Sequence, residues 1–258
     1  MAPGNSGGAA GWAEVDWTRP WLAPYREIGL AASEALTRGA SVAEALESAT
    51  PLTLTTAGLA PAFVPAEERP ATEPYEAFIA RTGRVPTRDN LHDLLNGLVW
   101  LRVPHFKRSV SILHAEQIAL HGVAGARGAM RDALTLLDEN GAVWAAPAAS
   151  ADLLRRRQWK TLFSNWTAAA GACPVLLVGH ALLEKLVRPR KTITAHVWTV
   201  SPRADAASAV ATPEAVAGLF AQPRCPLPVL GIPGWWAPNQ TAGFYDDPAV
   251  FRALGQGR

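Results

Sequence analysis

The chain has 258 residues, of which 49% are hydrophobic and 18% charged, and 24 basic against 22 acidic side chains leave a formal net charge of +2. That length and apolar content suit a large globular domain and exclude a disordered chain. The near-balance of charge supplies no long-range field for nucleic acid or an anionic membrane, which argues against both as partners.

Residues 1 to 11 are rich in Gly, Ala and Ser and read as a disordered tail, with no basic stretch leading into an apolar run as a secretory leader would have. One globular domain is expected over residues 12–258. The longest apolar stretch, Pro174 to Leu183, falls far short of the ~20 residues a membrane span needs. The expectation is therefore a soluble, cytoplasmic protein. Cys173 and Cys225 fit neither a disulfide framework nor a zinc-ligand spacing and are expected to be buried free thiols.

Helical patterns come first, at Ala23–Arg38 and Val42–Ser48, with Ser41 as a cap between them. Five prolines between Pro51 and Pro74 then forbid a long helix and leave room for a short strand at Ala62–Val64. Helices are predicted at Tyr75–Thr82, Asn90–Arg102, Arg108–His121, Ala129–Leu134 and Asp152–Phe163. Asn140-Gly141 is a strong hairpin signal, because both central residues of a type I′ turn need positive φ. It predicts that Leu134–Glu139 pairs with Ala142–Ala146. Further on come a buried strand at Pro174–Val178, a helix at His180–Val187, a strand at Thr192–Val200 and a helix at Pro213–Ala221. Helices with a few strands and no βαβ alternation predict an α+β fold, its helices packed with a small, mainly antiparallel sheet.

Two stripes share the helix at Asn90–Arg102. Leu91, Leu94, Leu95, Leu98 and Val99 make the core face. Asp89, His92, Asp93 and Asn96 repeat the same spacing on another face. A merely solvated face would favour long Lys, Glu, Gln or Arg, whereas these are short groups able to bind a metal or move a proton. Gly97 beside them, a weak helix former, suggests that something approaches the backbone closely. The competing explanation is structural: Asp89 caps the helix and the others bond neighbouring loops.

His180 and Glu184 stand at i and i+4, a spacing that can present two ligands to one ion. At a helix N-terminus the dipole disfavours imidazolium, and neutral imidazole is what a ligand or base requires. Lys185 follows at once. His114 shares a face with Gln117 and His121, of which His121 is explained by the helix end it occupies. Asp138 and Glu139 flank the predicted turn, where turn chemistry alone accounts for them, although a turn also projects a carboxylate well. Arg155-Arg156-Arg157 with Trp159 and Lys160 reads as a solvated basic face, and the ten tryptophans read as core and loop anchors. There is no P-loop, G-x-G-x-x-G, G-x-S-x-G or H-E-x-x-H motif.

Four separated segments, Val85–Leu101, Arg131–Gly141, Gly179–Lys185 and Gly231–Trp235, together with Phe244–Asp247 and Val250–Arg252, resemble the bacterial family known as domain of unknown function 3025. The resemblance spans about residues 12 to 254. It implies a bacterial cytoplasmic protein and carries no catalytic residue over. The residues themselves point to a divalent-metal hydrolase acting on a small molecule. Metal ligands would be His92, Asp93, His180 and Glu184, with Asp138 as base or further ligand and Lys185 or Arg88 stabilising an anion. Asp89, Asn96, His114 and Glu139 are further cleft candidates. With no soft ligand in the set, zinc, manganese or magnesium is expected. The alternative is a module that binds a small ligand or a protein without turnover.

Overall fold

A computed structural model describes residues 11–122, 128–166, 175–203 and 205–255. The expected tail, apart from Gly11, and Cys173 lie outside them. The fold is α+β, as expected. Its residues divide into two compact units, one of residues 1–135 with 211–217, the other of residues 136–210 with 218–258.

The first unit is mainly helical. A 3-10 stretch, Pro20–Tyr25, leads into α1 (Arg26–Thr37). α2 (Val42–Ser48) starts at a capping box in which Ser41 and Glu44 satisfy each other's backbone N–H groups. After α3 (Leu52–Thr56), β1 (Ala62–Pro65) pairs in parallel with β2 (Arg84–Thr87), and α4 (Tyr75–Thr82) lies between them in sequence. Gly83, at φ 68°, ends α4 in the left-handed conformation that glycine adopts without penalty. α5 (Leu91–Arg102) is capped by the Asn90 side chain and is buried from Asp93 through Leu101. Val103 alone separates it from α6 (Pro104–His121). The expected start of α6 at Arg108 is corrected by one turn, because Pro104 occupies the first helical position, where its missing N–H has no cost.

α7 (Ala129–Asn140) replaces the predicted hairpin. Leu134 and Leu137 are fully buried three residues apart, a helical spacing that a short apolar run cannot distinguish from a strand by pattern alone. Asn140 stays helical, and the chain turns directly into β3 (Gly141–Ala145). A Cβ at Gly141 would sit 2.2 Å from the Leu137 carbonyl oxygen, so only glycine permits this exit.

The second unit carries a four-stranded sheet in the order β4-β3-β5-β6, formed by β3, β4 (Val175–Leu177), β5 (Thr194–Val200) and β6 (Cys225–Pro228). The β3–β4 and β5–β6 pairs are antiparallel and β3–β5 is parallel, so the sheet is mixed but mainly antiparallel. The helix expected over Asp152–Phe163 is two, α8 (Ala148–Arg155) and α9 (Trp159–Ser164), broken at Arg157, whose φ is 53°. α10 (His180–Val187) matches its predicted bounds; α11 (Pro213–Leu219), whose residues through Ala217 belong to the first unit, stops two residues early. Cys225 is a buried free thiol, pushed up by burial from its ordinary pKa. No helix among the described residues is long and apolar enough to cross a membrane.

Candidate functional site

Three members of the polar stripe of α5, Asp89, Asp93 and Asn96, are bonded to their own surroundings. Asp89 Oδ1 accepts from the Val42 backbone N–H at 2.7 Å, closing the start of α2. Asp93 is buried and accepts from Arg88 three times, from Nε at 3.0 Å, from Nη2 at 2.8 Å and from the backbone N–H at 2.7 Å. That carboxylate holds the Arg88 guanidinium above its ordinary pKa. Asn96 Nδ2 donates to the Tyr75 hydroxyl at 3.1 Å, while its Oδ1 is buried and accepts from none of the described residues. Gly97 is explained as well: a Cβ there would fall 2.2 Å from Leu46 Cδ1 of α2, so the close approach is a packed leucine rather than a ligand. His92 is half-buried on the first turn of α5, and His114 is buried on α6.

The second unit gathers a different set. β4 runs into Val178 and Gly179, whose N–H groups both donate to the Gly141 carbonyl, at 3.1 and 2.9 Å. A Cβ on Gly179 would lie 2.5 Å from Gly141 N, 2.6 Å from Glu139 O and 2.7 Å from Asn140 Cα. Two glycines thus let the entry to α10 press against the end of α7. The consequence is chemical, because the next residue is His180, the first of α10. Its imidazole is buried, with the side chain 5% exposed. Nδ1 lies 3.8 Å from Asp138 Oδ2 and Nε2 lies 3.6 Å from Glu139 Oε1, so each ring nitrogen faces a different carboxylate.

Lys185 Nζ, one turn along α10, donates to Asn140 Oδ1 at 2.6 Å. Burial first, then the charges of Arg224 and Lys185, holds His196 on β5 below its ordinary pKa. Glu184 is half-buried on α10. Asp138 and Glu139 were readable as candidates, but their delivery by a helix to one imidazole was not. The available signal was Leu134 and Leu137 at helical spacing, with the acid pair directly behind them.

Both histidine–carboxylate distances exceed the 2.7–3.2 Å of a direct N–H···O hydrogen bond. The 3.6 Å between Nε2 and Glu139 Oε1 suits two ligands of one ion, since ligands ~2.1 Å from a tetrahedral zinc stand ~3.4 Å apart. On the other side of the ring, Asp138 Oδ2 lies 3.8 Å from Nδ1, outside hydrogen-bond reach.

A family model described as "Protein of unknown function (DUF3025)" matches residues 62–255, beginning later than the expected residue 12. No curated protein and no solved structure matches the chain.

Proposed function

The chain belongs to the DUF3025 family, and from that premise we propose that it is a divalent-metal hydrolase whose centre is His180 with Glu139 and Asp138. The observation that carries this reading is a buried imidazole with a carboxylate facing each nitrogen, 3.6 and 3.8 Å away. His180 Nε2 and a Glu139 oxygen are two of the protein ligands, and Asp138, 3.8 Å from Nδ1, would fix the ring and its tautomer on closing to hydrogen-bond distance. Nitrogen and hard oxygen donors favour zinc, manganese or magnesium. Held by these residues, such an ion would supply Lewis acidity and an activated water for hydrolysis of a phosphoester or amide. Lys185, anchored at Asn140, supplies the positive charge for an anionic substrate.

Of the other ligands expected from the sequence, Asp93 serves Arg88 in this reading. Glu184 and His92 stay in the proposal as further candidate ligands. The test is hydrolysis of bis(p-nitrophenyl) phosphate and of a p-nitroanilide by metal-loaded full chain. Turnover that needs the metal and disappears in His180→Ala supports the reading. Stoichiometric metal without turnover on either substrate would leave the non-catalytic binding module in its place.

A further inference from the structure

The basic run at the end of α8 is not one uniform face. Arg155 and Arg156 both pair with Asp152, at 3.4 and 2.9 Å, and Lys160 pairs with Asp246. Arg157 has no ion pair among the described residues, and neither does Arg252, whose Nε donates to the Ala249 carbonyl at 3.2 Å. Both arginines line one cavity of about 420 Å³ in the second unit. Thr192 and Thr194 line it too, with Trp159, Pro228 and Val250 among its apolar walls, and no Asp or Glu among the described residues is part of the lining. Trp159 Nε1 donates to the Arg252 carbonyl at 2.8 Å, tying the two sides of the cavity together.

The backbone at Arg157 adds an independent observation. Gln158 N–H donates to the Leu153 carbonyl and Arg157 N–H to the Leu154 carbonyl, each at 3.0 Å, the paired bonds of a Schellman helix end. The residue in the left-handed position of that motif is usually glycine, because a Cβ is disfavoured there. Among the described residues Arg157, at φ 53°, is the only non-glycine residue with positive φ. A position that favours glycine carries a side chain here, and that side chain is a guanidinium with no carboxylate partner among the described residues, at a cavity wall.

We propose that this cavity binds a small organic anion, with a phosphate or carboxylate head held by Arg157 and Arg252 and an apolar body against Trp159 and the prolines. Guanidinium forks match both heads, and the volume falls within the ~300–1,000 Å³ usual for small-molecule sites. The site shares no residue with the histidine centre and stands or falls without it.

The test is calorimetric titration of the full-length chain with phenyl phosphate, benzoate and inorganic phosphate, alongside thermal melts. Saturable binding of phenyl phosphate or benzoate is expected, and which of the two binds more tightly identifies the head group. Arg157→Gly should weaken that binding roughly tenfold or more while the melting temperature of the free protein stays the same or rises. Arg252→Gln should weaken it similarly, and Arg155→Gln should not. The proposal is overturned if neither organic probe saturates, if Arg157→Gly binds as the parent does, or if its free form melts lower, which would make the guanidinium part of the fold. It is overturned equally if inorganic phosphate binds as tightly as phenyl phosphate, or if single-stranded RNA displaces the probe stoichiometrically.

Discussion

The start of α5 and the junction of α7 with α10 are both clusters of short polar groups at helix ends, and they differ in how those groups are engaged. In the first, Asp89 and Asp93 stand 2.7–3.0 Å from backbone N–H groups or a guanidinium, hydrogen bonds that close the fold around them. In the second, Asp138 and Glu139 stand 3.8 and 3.6 Å from the nitrogens of one buried imidazole, both beyond the reach of a direct hydrogen bond. Residue type alone made the two look alike. Distance separates them.

The strongest way to break this contrast is Gly179→Ala. The new methyl would meet the backbone of Glu139, Asn140 and Gly141 rather than a flexible side chain, so a loss of about 3 kcal/mol is expected, together with the metal site. Urea unfolding and zinc titration measure the two losses. Retained stability and affinity would show that the junction tolerates a wider separation. Next comes Asp93→Ala, which strips acceptors from Arg88 and its backbone N–H and should cost about 1–3 kcal/mol in urea unfolding with no change in metal affinity. A drop in affinity would move the α5 stripe out of the structural class.

Asp138→Asn should leave the fold intact and weaken metal binding by roughly 10–100-fold, the usual effect of losing a carboxylate behind a ligating histidine. Isothermal titration would show it, and an unchanged affinity would remove Asp138 from the centre. The smallest effect belongs to Asn96→Ala, which gives up a single bond to Tyr75 and one buried acceptor. A cost of about 1 kcal/mol in thermal melts is expected, with metal affinity unchanged.

Much of the local structure was legible in the sequence. Val42–Ser48 and His180–Val187 fall on their predicted bounds, because a cap or glycine marks each start and a single apolar face fixes the period. The strands β2 and β6 were missed because Pro86, Pro226 and Pro228 argue against sheet. Those prolines are tolerated because β2 belongs to a two-stranded sheet and β6 lies at an edge. The site residues were individually readable as well, since a histidine after glycine and paired acids draw attention by type. Their meeting was not readable. It depends on Gly141 and Gly179, far apart in sequence, each allowing a backbone approach that no local pattern encodes. Gly97 gave the correct signal of close approach and an open identity for the neighbour, which is Leu46.

The central claim is that His180 and Glu139 hold a divalent ion. The most direct measurement is calorimetric titration of metal-stripped full chain with zinc, and then with manganese and magnesium, in the parent, His180→Ala and Asp93→Ala proteins. The account predicts one ion per chain in the parent and in Asp93→Ala, and none in a His180→Ala protein that still unfolds cooperatively. Absence of stoichiometric binding of all three ions by the parent, or binding that His180→Ala leaves unchanged, would contradict it.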